Sequence, residues 1–411
     1  MDNEERAHLH ATKCNNEIIT REEQPYLAAD GFIPPEGERA HLHASKCNGE
    51  AVTPSYNNHD FIPPANENPI LALLKYYGKN DGWYNGQRSI IPNFDDYYVF
   101  WLTGERRIGK TDLMLRLACD LFIHYNLQTM WVRNKQVELK DPSFHADFLN
   151  DAKKHGWAPE EWICNEQGVF ESKDKEAEQI IKFQSISTFS NRRGGAHPRV
   201  IMIVFDEFMP EDRKYPPMAA QGIMSLTKTV FSGRTDARLF CLSNFTSAAN
   251  PYFVKFRIYP SKELVTLYPE KRMLIERCDG YRKAIDVGNP WNDVYEAGGM
   301  GNYASEEEDN LIGLIVPKVP KGAKPYSHIY YIEGQYYRAY YNNQMTIYTE
   351  YKGSRKGLMA FTPNTRECSD NCMLIMQWMI KRIVEDLQTG VIRFTNPNVM
   401  FAILNMAFDK V

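Results

Sequence analysis

The segment Gly104-Glu105-Arg106-Arg107-Ile108-Gly109-Lys110-Thr111 leaves this chain few folds to choose from. Before it runs Tyr97-Tyr98-Val99-Phe100-Trp101-Leu102, an unbroken apolar stretch suited to a strand buried on both faces. After it Met114, Leu117, Leu121, Phe122 and Tyr125 recur at helical spacing. The segment matches G-x-x-x-x-G-K-[ST], and a strand before with a helix after is the setting that pattern requires. There, backbone N–H groups of the loop and of the helix start surround phosphate oxygens. Lys110 is expected at the β- and γ-phosphates and the Thr111 hydroxyl at Mg²⁺, which points to ATP as the ligand. A chance glycine-rich turn would not explain both flanks.

Further buried strands are expected at Thr129–Val132, Val200–Phe205 and Ala237–Leu242, separated by helical stretches. Strands alternating with helices predict an α/β fold: a mostly parallel sheet with helices on both faces. Val200–Phe205 runs straight into Asp206-Glu207. A carboxylate at such a strand end holds the Mg²⁺ shell, a role that fits Asp206. Glu207 is placed to polarise an attacking water as general base. Ser243-Asn244 ends the next strand, where a polar pair either senses the γ-phosphate or simply makes a turn. Arg192, Arg193, Arg234 and Arg238 flank these strands, and any one could serve a neighbouring subunit as an arginine finger.

Charge is unevenly spread. Residues 1–67 hold 5 Lys/Arg against 12 Asp/Glu, and residues 324–411 hold 10 against 7, within a chain of net charge −4. That balance excludes a uniformly basic surface but not a local patch for nucleic acid. No apolar run is long enough to span a bilayer, the first residues lack a secretory h-region, and the eight cysteines are scattered. A reducing, cytoplasmic setting without membrane contact is expected.

Residues 1–67 contain a duplication: Glu5–Asn15 returns almost unchanged as Glu38–Asn48, and Phe32-Ile33-Pro34-Pro35 returns as Phe61-Ile62-Pro63-Pro64. The segment is polar and aperiodic, so a flexible leader is expected. His8, His10, Cys14 and His41, His43, Cys47 repeat H-x-H-x₃-C, a donor set chemically suited to zinc at a spacing that is not a standard finger. The main body, expected over 68–277, precedes a Gly/Pro/Lys-rich connector over 278–323. In 324–411, His328–Ile332, Tyr336–Tyr341 and Met345–Tyr351 predict an antiparallel meander. Helices are expected over Met373–Leu387, ended by Gly390, and over Val399–Phe408; Cys368 and Cys372 sit at helical spacing.

The body resembles the DNA-packaging (encapsidation) ATPases of phi29-like small tailed phages. The resemblance rests on Gly104–Thr111, on Ile203–Phe208, on Thr229–Phe231 through Arg238 to Asn244, and on Asn250-Pro251-Tyr252-Phe253. Gly390–Phe394 and the final helix extend it, so that it covers roughly residues 90–411. It implies a P-loop fold of the additional-strand, catalytic-glutamate (ASCE) type, followed by a small α+β RNase H-like domain that has lost nuclease chemistry. It implies an ATP-driven motor that moves double-stranded DNA into a preformed procapsid, with Lys110 and Thr111 at the phosphates, Asp206 at Mg²⁺, Glu207 as catalytic carboxylate and Asn244 in coupling. Implied partners are duplex DNA, the portal (connector), a homo-oligomeric ring, expected to be a pentamer, and a structural packaging RNA. The implied location is the host cytoplasm, at the portal vertex only during packaging and not in the mature virion.

Two positions depart from the resemblance. Of the two basic residues it supplies in trans, one aligns with Arg193 and the other with Ser232, which carries no charge; Arg234 lies two residues on and is the substitute. Arg107 stands where the family has glycine, which crowds the loop unless the side chain points outward. Lys352, Arg355, Lys356, Lys381 and Arg382 are available for phosphates of DNA or RNA, or form a solvated basic face. His328–Ile332 contains no acid and Glu333 sits at a turn, so no cleavage is expected of the tail. The rival readings are another P-loop nucleic-acid motor such as a helicase, and an ATP-gated capsid assembly factor.

Overall fold

The computed structural model describes residues 61–78, 82–104, 107–174, 176–189, 197–210, 214–244, 249–261, 263–281, 314–343 and 345–409. The duplicated leader up to residue 60, with its His/Cys sets, lies outside them, as do Glu105, Arg106, Arg192 and Arg193.

Helix α1 (Pro69–Tyr77) begins where proline at its first turn needs no donor and Asn68 accepts from Ile70 N, and it buries Ile70–Leu74. The short α2 (Ile90–Asn93) leads to β1 (Val99–Thr103), the phosphate-loop segment and α3 (Lys110–Tyr125). Then come β2 (Gln128–Arg133), α4 (Gln136–Leu139), α5 (Pro142–Lys154), β3 (Ile163–Asn165), β4 (Gly168–Phe170), β5 (Gln179–Ser185) and α6 (Ile186–Phe189). They are followed by β6 (Val200–Phe205), α7 (Ala219–Val230), β7 (Arg238–Leu242), α8 (Pro251–Phe256), β8 (Val265–Tyr268) and β9 (Met273–Arg277).

These nine strands form one sheet in the order β3-β4-β5-β2-β6-β7-β1-β9-β8. The pairings from β5 through β9 are parallel, and the pairings β3–β4, β4–β5 and β8–β9 at the two margins are antiparallel. Helices cover both faces, and the strand residues divide accordingly. Phe100, Leu102, Val204 and Phe240 join the core with Met114, Leu117 and Leu121 of α3. Trp101, Ile203, Phe205 and Cys241 join the core with Ile223 and Leu226 of α7 and with Tyr252 and Phe253 of α8. Burial on both faces is why β1 and β6 read as continuous apolar runs rather than as alternating ones.

The C-terminal part builds a second sheet. Its elements are β10 (Lys324–Pro325), β11 (His328–Ile332), β12 (Gln335–Asn342), β13 (Met345–Glu350), β14 (Met359–Thr362), β15 (Cys372–Leu374), α9 (Gln377–Gln388), β16 (Ile392–Phe394) and α10 (Pro397–Phe408). The order is β15-β14-β11-β12-β13-β16, with β10 on β12. β11–β12–β13 is the expected antiparallel meander. Strands not expected from sequence extend it, because β14 joins β11, β15 joins β14 and β16 joins β13 in parallel, making the sheet mixed. A correction concerns α9, which starts at Gln377. Cys372–Leu374 form a strand against Ala360–Thr362 instead, so ladder pairing outweighs a helical spacing of apolar residues, and Cys368 and Cys372 do not share a helix.

Helix α10 is capped by Asn396, which accepts from Val399 N, and it buries Val399–Leu404, Met406 and Ala407. It is apolar nearly all round because it lies between the second sheet and α8, whose Val254 belongs to the same core as Ile403 and Phe394. Residues 61–152 and 157–411, and so both sheets, belong to one compact unit. Cys278 packs with the first sheet: it is buried and its N–H donates to Thr103 O at 2.7 Å.

Candidate functional site

Because β1, β2, β6 and β7 run parallel in the order β2-β6-β7-β1, their C-terminal ends share one edge. That edge gathers the phosphate loop, Asp206-Glu207, Ser243-Asn244 and the end of β2. This is where a parallel sheet of this kind takes its ligands.

The described glycines at the two ends of the loop, Gly104 and Gly109, both have a positive φ, of +113° and +92°. A Cβ on Gly104 would stand 3.1 Å from Asp279 Oδ1 and 3.2 Å from Cys278 N, so a side chain there would be crowded as well as strained. Arg107 adopts φ +61° and is exposed. Its side chain therefore points outward, and it occupies a conformation that glycine adopts freely, at a cost on the order of 1 kcal/mol. Ile108 is fully buried and its carbonyl accepts from Tyr84 N at 2.9 Å, which pins the loop from below. Lys110 is buried, and its Nζ donates to Gly104 O at 3.1 Å across the loop. A phosphate oxygen is the stronger acceptor for that ammonium. Thr111, in the first turn of α3, is exposed.

Asp206 is buried at the end of β6; Glu207 follows with φ +49° and a side chain 40% exposed. Both meet Arg133, the last residue of β2. Its Nη2 lies 2.6 Å from Asp206 Oδ2 and its Nη1 2.6 Å from Glu207 Oε2. Trp131 Nε1 adds a bond of 3.3 Å to Asp206 Oδ2. Burial works against the Arg133 charge, but the carboxylates of Asp206, Glu207 and Glu138 outweigh it and hold the guanidinium above its ordinary pKa. Arg133 was not among the residues singled out from sequence. The available signal was a lone cation ending the apolar run Thr129–Val132, and its meaning depends on β2 lying beside β6.

Thr111 and Asp206 offer a hydroxyl and a carboxylate. An all-oxygen set with few protein ligands suits Mg²⁺, which keeps several waters and takes its other ligands from phosphates. Ser243 is buried with its N–H on Leu102 O at 3.0 Å, and Asn244 is half-buried at the end of β7, between the loop strand and the acidic strand.

The arginines divide. Arg234 precedes β7 and so lies at the opposite edge of the sheet from its own loop. Its guanidinium grips Asp236 at 2.9 and 2.7 Å and also donates to Pro198 O. Arg238 is corrected as a finger candidate: it is buried, donates to Phe94 O at 2.8 Å and lies over the Phe94 and Tyr98 rings. Burial among those carbonyls and rings makes it structural.

Glu276, fully buried at the end of β9, braces the loop from the side. Ser89 Oγ, Tyr84 OH and Tyr281 OH all donate to its carboxylate, the tyrosines at 3.1 Å each. Burial raises its pKa above 4.5; the Ser89 bond, the Arg88 charge and the two tyrosine bonds oppose that without cancelling it. The folded pKa is raised, so the stability linked to this proton is complete below the ordinary glutamate value and is lost as pH rises through the folded one. Melting temperature measured against pH should therefore fall across that window. In Glu276→Gln, which keeps an acceptor for the hydroxyls, this part of the slope should disappear.

A model of the Podovirus DNA encapsidation protein (Gp16) family matches residues 81–410. The DNA packaging protein of Bacillus phage phi29 is 31% identical over 180 residues, 43% of this chain and 51% of that protein, so the aligned chain spans about half that relative's length. The DNA packaging protein of Bacillus phage B103 is 27% identical over 322 residues, 73% of this chain and 94% of that protein. Among solved structures, the Phi-28 gp11 DNA packaging motor is similar with a TM-score of 0.60 at 17% identity, covering 80% of this chain and 98% of its own. The bacteriophage Phi-29 viral genome packaging motor assembly gives 0.52 at 23%, covering 79% and 99%. At these identities the two structures speak to the fold alone.

Proposed function

Because the chain belongs to the Podovirus DNA encapsidation protein (Gp16) family, we propose that it is the ATPase of a phage DNA-packaging motor, driving double-stranded DNA into a procapsid. The observation that carries this reading is the convergence of the loop, Asp206-Glu207 and Asn244 on one sheet edge, with β7 inserted between the loop strand and the acidic strand. That inserted strand supports the ASCE type of P-loop fold.

In this reading the loop N–H groups and Lys110 hold the β- and γ-phosphates. Mg²⁺, held by Thr111 and Asp206, supplies charge neutralisation when bound. Glu207 takes the proton of the water that attacks the γ-phosphate in line. For this, Arg133 must give up its grip on Glu207, so the ion pair marks a resting arrangement of the carboxylate. Asn244 reports the γ-phosphate to the end of β7. The trans cation comes from Arg193, or from Arg234 once released from Asp236.

The C-terminal sheet is read as the RNase H-like domain without nuclease activity. Its acids serve other ends: Glu333 pairs with Arg257, and Asp386 is bound by Thr346 and Arg382. Lys352, Arg355, Lys356 and Lys381 are exposed and suited to phosphates of DNA or of a packaging RNA. Motor subunits form a ring, read as a pentamer, at the portal vertex of the procapsid in the host cytoplasm. Among the described residues no helix is long and apolar enough to cross a membrane.

The test is ATP hydrolysis by the full chain with and without linear duplex DNA. Stimulation by DNA is expected. Hydrolysis indifferent to DNA would instead favour the ATP-gated assembly factor, and strand separation on naked duplex would favour a helicase.

A further inference from the structure

Glu207 holds a left-handed backbone, φ +49°, which a glutamate does not adopt unaided. The side chain that binds this turn's carbonyls is Asn134, fully buried just beyond β2. Asn134 Nδ2 donates to Glu207 O at 3.0 Å and to Phe208 O at 3.1 Å. Asn134 Oδ1 accepts in turn from Tyr252 OH, on α8. Tyr252 is fully buried, with its ring 5.2 Å from that of Phe205 and 5.8 Å from that of Phe208. One amide thus spans the catalytic turn on one side and a helix on the other.

That helix is fastened to the C-terminal part. Lys255 of α8 pairs with Asp409 at 2.9 Å, and Gln221 of α7 donates to the same carboxylate at 2.6 Å. The Tyr215 ring lies 5.9 Å from Tyr252 and 6.4 Å from Phe408 of α10. A cavity of about 160 Å³, lined by Tyr215, Pro216, Ala220, Pro251, Val384 and Phe408, lies beside these contacts. The junction therefore combines polar ties with an apolar contact, Val254 of α8 sharing a core with Ile403 of α10.

We propose that Asn134 is a positioning residue for Glu207, and that the Tyr252 hydroxyl makes its grip depend on how α8 is seated against α10. The C-terminal sheet, where it meets nucleic acid or the portal, then sets whether Glu207 stands ready to receive a proton. This rests on the reading of Glu207 as the catalytic carboxylate. Coupling of this kind needs a physical chain of contacts, and the bonds at either end of the Asn134 amide are its middle link.

The test uses the full chain in DNA-stimulated ATP hydrolysis. Tyr252→Phe removes one oxygen and leaves the ring packing in place. It should lower kcat about tenfold while leaving KM for ATP within about twofold and the melting temperature within about 3 °C, a split that a merely structural role would not produce. Asp409→Ala, at the surface, should lower kcat about threefold with the same constancy of KM. Unchanged kcat in a folded Tyr252→Phe protein, or a parallel rise in KM, overturns the proposal. Should Tyr252→Phe fail to fold, Asp409→Ala decides: a kcat equal to that of the parent overturns the proposal. Glu207→Gln separates the levels. If that variant keeps turning over, the reading of Glu207 fails; if it is inactive while Tyr252→Phe is normal, only the present proposal fails.

Discussion

Glu207→Gln should lower DNA-stimulated ATP hydrolysis by about 10²–10⁴-fold while the protein still binds nucleotide, because a glutamine keeps the shape and loses the proton acceptor. The structure limits collateral damage. Glu207 is partly exposed, and its carbonyl stays bonded to Asn134 whatever its side chain. Arg133 retains its 2.6 Å contact with Asp206, so no buried cation is left alone. Nucleotide titration and single-turnover hydrolysis together check the prediction. Normal binding with lost turnover fits it, and normal turnover transfers the base to another residue.

Lys110→Ala should be inactive for a different reason. Its ammonium is buried inside the loop, and a charge-assisted bond to phosphate is worth about 1.5–3 kcal/mol, or roughly 10–100-fold in affinity. Phosphoryl transfer also builds negative charge that this cation offsets, so turnover should fall by about 10³-fold or more. The fold should survive, since the side chain's hydrogen bond to Gly104 O lies within the loop itself. Weakened binding with lost turnover, measured by nucleotide titration, distinguishes this variant from Glu207→Gln. Affinity equal to that of the parent would remove Lys110 from the phosphates.

What sequence made legible follows from local physics. Val200–Phe205 reads as a strand because burial on both faces demands six apolar residues in a row, and the element has those bounds. The loop reads as a phosphate site because glycine, lysine and threonine stand at fixed offsets between a strand and a helix. What stayed hidden depends on partners far along the chain. β16 has three residues and exists because Ile392–Phe394 lie against Thr346–Tyr348. Cys372–Leu374 look helical until β14 claims them. Arg133 and Asn134 are ordinary polar residues at a strand end, and they matter because β2 lies beside β6 and α8 passes within reach. Arg238 looked available and is enclosed, since Phe94 and Tyr98 fold over it.

The most direct measurement combines the purified protein, procapsids and linear duplex DNA, with the DNA then challenged by nuclease. The account predicts that DNA becomes nuclease-resistant only when hydrolysable ATP and the procapsid are both present, and that Glu207→Gln gives no protection. DNA that stays fully sensitive with all components active, or that is protected without hydrolysis, would contradict it.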